Sequence, residues 1–120
     1  MAKDLDVIIL FDIYGEMLTK KQQDFISYYY NDDLSLAEIA ENEGITRQGV
    51  RDAIQRAQTQ LYTFEKHLGL RERFENIKKG LDEINELVGV IDEVNRRTVL
   101  SREINDATAR IGVLTQMLGE

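Results

Sequence analysis

The chain of 120 residues contains 42% apolar and 31% charged residues, which is the balance of a globular domain rather than of a disordered chain. It has no cysteine and no proline, and its single histidine is His67. These counts exclude disulfides, thiolate catalysis, cysteine-ligated metal sites and sites built on several histidines. The net charge is −7, so any contact with nucleic acid has to come from a local basic patch.

The sequence lacks membrane and secretion signals. The longest apolar run, from Val7 to Phe11, is too short to span a bilayer, and the N-terminus lacks the basic start and the cleavage site of a signal peptide. A glycine-rich phosphate loop, a calcium loop and a zinc-hydrolase motif are all missing. We therefore expect a cytoplasmic protein that is not an enzyme and that holds no cofactor and no metal ion.

Two helices are predicted to open the chain. Asp4 is the predicted cap of the first, and a capping box of Thr19 and Gln22 begins the second, which should run from about residue 20 to residue 30. The aromatic run 28–30 falls at helical spacing, so we expect it in the core rather than as a stacking platform for bases. The apolar residues assigned to the first helix are Leu5, Ile8, Ile9, Ile13, Met17 and Leu18, and those expected inside in the second are Phe25, Ile26, Tyr29 and Tyr30.

The stretch from residue 35 to residue 61 is the most informative part of the chain. Ser35 and Glu38 form a second capping box. Gly44 can adopt the positive φ of a tight turn, and Thr46 can cap the helix that follows. The residues expected in the angle between these two helices are Ile39, Ala40, Ile45, Val50 and Ile54. This pattern predicts a helix-turn-helix.

Two long amphipathic helices are predicted after Gly69. Apolar residues recur at alternating steps of three and four, and the phase of this stripe slips after Asn95. Thr98 and Ser101 are candidate caps of a last helix, although one continuous helix with a stutter would fit the same pattern. The two stripes are Phe74, Ile77, Leu81, Ile84, Val88 and Ile91, widened by Leu87 and Val94, and then Leu100, Ile104, Ala107, Ile111, Leu114 and Leu118. Stripes of this width are typical of a bundle or a helical hairpin.

Two segments of the chain, LFDIYGEMLTKKQ at residues 10–22 and YYYNDDLSLAEIAENEGITRQGVRDAIQR at residues 28–56, resemble the YlxM family. The most specific elements are LFDIY, LTKKQ, DLSLAEIAE and TRQGV in this order and spacing. The family consists of small bacterial helix-turn-helix proteins related to the promoter-reading C-terminal region of sigma factors. The resemblance covers roughly the first half of the chain and extends weakly to about Phe74.

The resemblance implies an all-α fold with a wingless helix-turn-helix domain of the sigma region 4 type. We place this domain at residues 1–66 and a helical segment for packing or dimerisation at residues 67–120. The resemblance also implies a link to the signal recognition particle, because genes of the family typically lie beside those for the particle's GTPase or its receptor. Gly49 stands where alanine is expected in many relatives. Glycine there costs ~1 kcal/mol of helix stability relative to alanine, and it either loosens the start of the helix or lets the backbone approach DNA.

The residues that would read DNA lie on the outer face of the second motif helix, where steps of three and four return to one side. In the major groove, arginine can donate two hydrogen bonds to guanine, and glutamine can bond bidentately to adenine. The candidate base-reading residues are Arg47, Gln48, Arg51 and Gln55. The candidate contacts to the phosphate backbone are Thr46 at the helix N-terminus, Lys20, Lys21 and Arg56.

The charge around this face is mixed. Residues 46–56 carry three arginines against one aspartate, a net charge of +2, whereas residues 20–66 carry six basic and eight acidic residues, a net charge of −2. We therefore expect weak nonspecific binding to double-stranded DNA with a shallow dependence on salt. Specific binding would need help from a partner or two units side by side, as in a homodimer joined through the C-terminal helices, with recognition helices ~34 Å apart.

Two functions from different classes fit the sequence. The first is a cytoplasmic regulator that binds DNA through its helix-turn-helix and dimerises through its C-terminal helices. The second is an interaction module whose acidic surface and C-terminal apolar stripe dock a protein or ribonucleoprotein of the secretion machinery, with the motif kept as scaffold. The net charge favours the second function, and the residue chemistry of the motif favours the first.

Overall fold

The computed structural model describes residues 2–120, and within that range every regular element is helical. The predicted all-α fold is confirmed. The α-helices are α1 Leu5–Tyr14, α2 Lys20–Ile26, α3 Leu36–Glu43, α4 Arg47–Leu68, α5 Leu70–Arg97 and α6 Arg102–Leu118. A 3₁₀ turn, Gly15–Met17, follows α1, and a π-helical turn, Ser27–Asn31, extends α2.

The chain divides into two compact units, one ending at Arg71 and the other running from residue 72 to residue 120. Helices α1 to α4 and the first residues of α5 belong to the first unit, and the rest of α5 with α6 belongs to the second. The role of residues 1–66 in DNA binding and that of residues 67–120 in dimerisation stay predictions.

Side-chain caps define where most of the helices begin. In each case a side-chain oxygen accepts a hydrogen bond from a first-turn backbone N–H, a donor that the helix itself leaves unpaired. At α2, Thr19 accepts from the N–H of Gln22, whose side chain accepts from the N–H of Thr19. The capping box of Ser35 and Glu38 at α3 has the same form. The confirmed caps are Asp4, Thr19, Ser35, Thr46 and Ser101.

Helix α4 supplies the central surface of the first unit. Four of its side chains, spaced three and four residues apart, have no exposed surface, and α1, α2 and α3 all contact this helix. They are Val50, Ile54, Ala57 and Leu61. Burial of each of the larger three stabilises the fold by roughly 1.5–3 kcal/mol. The aromatic run is confirmed as core, because Tyr29 is buried and Tyr28 and Tyr30 pack against the same cluster.

Helix α1 turns a different side inward from the one that its sequence suggested. Its sequence is apolar on nearly every side, so periodicity does not identify the buried one. The buried side chains are Val7, Leu10 and Tyr14, none of which was assigned to the apolar set of this helix. Leu5, Ile9 and Met17 from that set are exposed.

Tyr14 joins α1 to the end of α4 and the start of α5. Its side chain is 1% exposed, and its hydroxyl donates to Oε1 of Glu65 at 2.6 Å and accepts from the N–H of Leu70 at 3.0 Å. The same carboxylate oxygen accepts from the N–H of Arg71 at 2.9 Å. Two N–H groups at the start of α5 therefore have side-chain acceptors. Burial, and next the hydrogen bond to Glu65, raise the pKa of Tyr14.

Replacing Tyr14 with phenylalanine is expected to lower the free energy of unfolding by roughly 1–3 kcal/mol, because the partly buried N–H of Leu70 loses its acceptor and Glu65 loses a donor. Urea denaturation followed by circular dichroism measures the loss. The matched control is Tyr62→Phe, which removes a hydroxyl from a residue that is 41% exposed and should cost less. Equal losses in the two variants would contradict the role of Tyr14.

Asp4 holds the N-terminal segment against α4 and the π-helical turn. Its Oδ1 caps α1, and its Oδ2 accepts from the hydroxyl of Tyr62 on α4. The backbone N–H of Asp4 donates to the hydroxyl of Tyr30 at 3.2 Å, and Gln58 donates to the same oxygen at 2.7 Å. The hydrogen bond to Asp4, and then burial, raise the pKa of Tyr62 to about 12.

This raised pKa predicts a loss of stability at high pH. The folded protein keeps Tyr62 protonated above 10.0, the ordinary pKa of tyrosine, so the Asp4 bond contributes fully below pH 10 and is lost as the pH rises towards about 12. Tyrosinate absorbance during an alkaline titration should show one step near pH 12 that is missing in Tyr62→Phe. If the native protein and this variant titrate identically, the bond does not hold Tyr62 protonated.

In the second unit, α5 and α6 run antiparallel through a short turn, so the predicted break after Asn95 is confirmed. Oδ1 of Asn95 accepts from the N–H of Ser101 at 2.8 Å, and its Nδ2 donates to the carbonyl of Ser101 at 3.0 Å. Leu100 lies in the turn with a φ of 53° and is 70% exposed, so its assignment to the α6 stripe is wrong. Thr98 is not a cap, because its hydroxyl donates to the carbonyl of Val94 at 2.6 Å.

Candidate nucleic-acid interface

Helices α3 and α4 form the helix-turn-helix motif. Gly44 ends α3 with a φ of 69°, and its N–H donates to the carbonyl of Ala40. A Cβ at Gly44 would meet no atom within 4 Å, so the left-handed backbone, and not lack of space, favours glycine here. Ile39 and Ala40 are buried as predicted. Ile45 is 40% exposed, contrary to its predicted place in the core, because it lies in the turn before α4 begins.

The four candidate base-reading residues are exposed on the first three turns of α4. At 100° per residue they lie roughly 50° to 150° around the helix from the mean direction of its buried side chains, with Arg47 nearest that buried side and Gln48 farthest from it. Because the buried side is packed against three helices, α4 cannot turn about its axis without exposing its apolar residues. The exposed residues are Arg47, Gln48, Arg51 and Gln55. Their contact with DNA stays a prediction.

Asp52 lies among these side chains and was not singled out from the sequence. Nε2 of Gln48 donates to Oδ1 of Asp52 at 2.9 Å, across one turn of α4. The pair occupies one amide hydrogen of Gln48 and orients its side chain. A carboxylate here repels phosphate and can accept a hydrogen bond from the amino group of cytosine. The spacing of four residues between Gln48 and Asp52 was the signal that could have identified the pair.

The candidate phosphate contacts fall into two groups. Lys21 and Arg56 line one surface hollow together with Thr19 and Gln22, so α2 and α4 bring these two cations to the same place. Nζ of Lys21 also lies 5.9 Å from the ring centroid of Phe25.

Lys20 does not line this hollow and has a partner of its own. Its Nζ is 2.8 Å from Oδ1 of Asp24, and this hydrogen bond is the main cause that raises the pKa of Lys20. A side chain that is 84% exposed gains little from such a pair, so Lys20 can exchange Asp24 for another anion at small cost.

Thr46 and Gly49 act together at the start of α4. The hydroxyl oxygen of Thr46 accepts from the N–H of Gly49 at 2.9 Å, which is the predicted cap. A Cβ at residue 49 would lie 3.1 Å from this oxygen, closer than nine in ten Cβ contacts. Glycine therefore leaves room for the cap hydroxyl, whereas with alanine that hydroxyl would have to shift by a few tenths of an ångström. Thr46 is exposed, so its hydroxyl is accessible from solvent.

Replacing Thr46 with alanine should destabilise the first unit by about 1 kcal/mol, because the N–H of Gly49 loses its acceptor at the start of the central helix. Thr46→Ser keeps a hydroxyl at the same place and is the matched control. Urea denaturation of the two variants beside the native protein measures the effect. A serine variant as unstable as the alanine variant would show that the hydroxyl does not carry this stability.

The surroundings of the interface are acidic. Glu38, Glu41 and Glu43 are exposed on α3, next to α4. The negative charge of Glu43 is the main cause that raises the pKa of Tyr28. Among residues 2–120, no three side chains of His, Asp or Glu are placed to hold a metal ion. Over the same range, no helix is long and apolar enough to cross a membrane.

A family model described as "Putative helix-turn-helix protein, YlxM / p13 like", UPF0122, matches residues 1–109 of the chain. The match runs through α5 and into α6, well beyond the part whose sequence motifs are specific.

Curated relatives carry the same family name. A UPF0122 protein of Desulforamulus reducens is 46% identical over 80 residues, which cover 67% of this chain and 68% of that protein. A UPF0122 protein of Thermoanaerobacter sp. strain X514 is 38% identical over 107 residues, covering 89% and 92%. One of Clostridium kluyveri is 48% identical over 84 residues, covering 68% and 76%.

Proposed function

The chain belongs to the YlxM/p13-like family of helix-turn-helix proteins, and on that premise we propose that it is a cytoplasmic regulatory protein that binds double-stranded DNA through α4. The observation that carries the proposal is the exposed set of arginines and glutamines on a helix whose orientation is fixed by a fully buried apolar row. Such a helix fits the major groove, where these side chains can bond to base edges. No step of this function requires catalysis.

Contacts to the phosphate backbone support the same orientation. Lys21 and Arg56 share one hollow beside the outward side of α4, so a DNA strand that follows this hollow meets two positive charges. Thr46 and the N-terminus of α4 add N–H and hydroxyl donors on the other side of the base-reading residues. Phosphate contacts of this kind set the register of the helix in the groove, and the base edges set the sequence preference.

The acidic side chains of the first unit limit the affinity of a single copy for DNA. Glu38, Glu41, Glu43 and Asp52 repel phosphate close to the positive side chains, so we expect weak binding by a monomer. A homodimer would double the number of base and phosphate contacts, because each chain would contribute one helix-turn-helix. We therefore propose that the chain binds as a homodimer, joined through its C-terminal helices, to two half-sites about one helical turn apart.

The double variant Arg47→Ala with Arg51→Ala is expected to lose sequence-selective DNA binding, because both candidate guanine contacts disappear. Each bidentate contact discriminates by roughly 1–3 kcal/mol, so the preferred site should weaken at least ~30-fold relative to random duplex. The measurement is enrichment of bound duplexes from a randomised pool at moderate salt. A motif selected by the native protein and lost in the variant supports direct readout.

The control is Arg96→Ala with Arg97→Ala, which removes the same charge from exposed positions in the last turn of α5. This variant should select the same motif as the native protein. If the native protein, shown to be folded, selects no motif, or if both double variants lose it equally, α4 does not read DNA.

A second candidate function rests on the net charge of −7 and the acidic side chains of α3. In this alternative the chain docks a protein or ribonucleoprotein of the secretion machinery, and the motif serves as scaffold. A part in the signal recognition particle pathway is proposed from family resemblance. Binding to the purified particle that survives Arg47→Ala with Arg51→Ala, in a protein that selects no DNA, would favour this alternative.

A further inference from the structure

The two helices of the second unit meet through polar side chains. Within residues 72–120, the buried side chains are Asn95, Thr108 and Thr115. The hydroxyl of Thr108 donates to Oδ1 of Asp92 at 2.8 Å, and that of Thr115 donates to Oδ1 of Asn85. Together with the Asn95 contacts to Ser101, these bonds form three polar layers between α5 and α6. Leu81 and Val88 on α5 are half-buried, and most of the other large apolar side chains of this unit are exposed.

Many of these exposed apolar side chains lie on one side of the α5–α6 pair, whereas Val90, Val113 and Met117 lie away from it. On α5 they recur at steps of three and four, about 80° around the helix from the residues that face α6. On α6 a second row is displaced in the same rotational sense, and because the helices are antiparallel both rows turn to the same side. This surface, here called the hairpin face, consists of Ile77, Ile84, Leu87, Ile91 and Val94 on α5 and Ile104, Ala107, Ile111, Leu114 and Leu118 on α6.

The hairpin face is half exposed in the single chain. Exposure is between 42% and 57% for its five α5 residues and reaches 68% at Leu118. At ~100 Å² of apolar surface for an aliphatic side chain, ten half-exposed residues present on the order of 500 Å². That is near the upper end of ~300–600 Å² for the largest apolar patch on a typical monomer. Homodimer interfaces are ~65% apolar, so ~500 Å² of apolar surface corresponds to an interface of about 800 Å² on each partner. That is the standard size of a stable interface.

The hairpin face also carries no charge. None of its ten residues is acidic or basic, whereas the other sides of the pair combine polar residues such as Asp82, Glu86, Asn105 and Gln116 with the exposed Val113 and Met117. Two identical faces can meet across a two-fold axis only when like charges are not brought together. An uncharged apolar face of this area satisfies that condition.

We propose that a second copy of this chain covers the hairpin face, so that two α5–α6 pairs stack as a four-helix bundle. In this dimer the polar layers lie within each chain, and the contact between the chains is apolar. The proposal specifies the interface of the homodimer in the proposed function and to that extent rests on it. Its evidence and its test, however, involve no DNA.

The test is the mass in solution, by sedimentation velocity over a range of concentrations. The native protein should sediment at twice 13.9 kDa at micromolar concentration. Leu87→Asp places an unpaired carboxylate from each chain in the interface and should weaken the dimer about 100-fold or more. Leu87 is 57% exposed in the single chain, so circular dichroism should show unchanged helix content. The matched control, Ala109→Asp on the exposed opposite side of α6, should remain dimeric.

A second measurement leaves the hairpin face intact and is valid even if Leu87→Asp fails to fold. Because the chain has no cysteine, Ala109→Cys gives a single site for a nitroxide label. Dipolar coupling between labels, at a distance of ~20–40 Å for two stacked helical layers, requires two copies and should vanish on dilution with unlabelled protein.

A native protein that is monomeric at every concentration, or absence of dipolar coupling, would overturn the proposal, and a different partner would then have to cover the face. A folded Leu87→Asp that stays as dimeric as Ala109→Asp would also overturn it. A dimer that selects no DNA motif would refute only the proposed function. A monomer that selects a single half-site would refute the homodimer, both here and in the proposed function, but not DNA binding through α4.

Discussion

Burial of one side of α4 is the constraint on which the first unit depends. Val50, Ile54 and Leu61 have no exposed surface, and α1, α2 and α3 all contact the helix that carries them. Any rotation of α4 about its axis would expose these residues, so the direction of its outward side chains follows from the core. The cap at Thr46 and the left-handed Gly44 set where this helix starts, and thereby where its arginines begin.

The parts of the fold that the sequence predicted are those encoded within three or four neighbouring residues. Capping boxes, the glycine turn and the break after Asn95 each depend on local backbone geometry, so a few neighbouring residues suffice to predict them. The buried side of α1 could not be predicted in this way, because that helix is apolar on nearly every side and only its contacts with other helices determine which side is buried. Likewise, the apolar stripe of α5 did not predict that Asn85 and Asp92 would accept hydrogen bonds from threonines of α6.

In the candidate interface too, features set within one helix could be predicted from the sequence, and features set by packing between helices could not. The exposure of Arg47 and Arg51 could be predicted, because it is the complement of a buried apolar row on one helix. The meeting of Lys21 with Arg56 could not, because it depends on how α2 packs against α4. Asp52 lies four residues after Gln48, a spacing that allows their side chains to form a hydrogen bond. The sequence therefore contained the signal for this pair, but only the structure shows that the bond forms. Arginine, amide and carboxylate side by side form a more discriminating surface than a uniformly basic one, at the expense of affinity.

The three polar layers between α5 and α6 have a consequence for the order in which this part of the chain folds. Their partners are 6, 16 and 30 residues apart along the sequence, increasing with distance from the turn. Once Asn95 has closed the shortest loop, each following layer has to close only the few residues that remain, so the entropy of loop closure is lost in small steps. The two helices can therefore pair progressively from the turn outwards, and no segment distant in the sequence has to be in place first. Contacts between residues close in the sequence are typical of rapidly folding helical proteins.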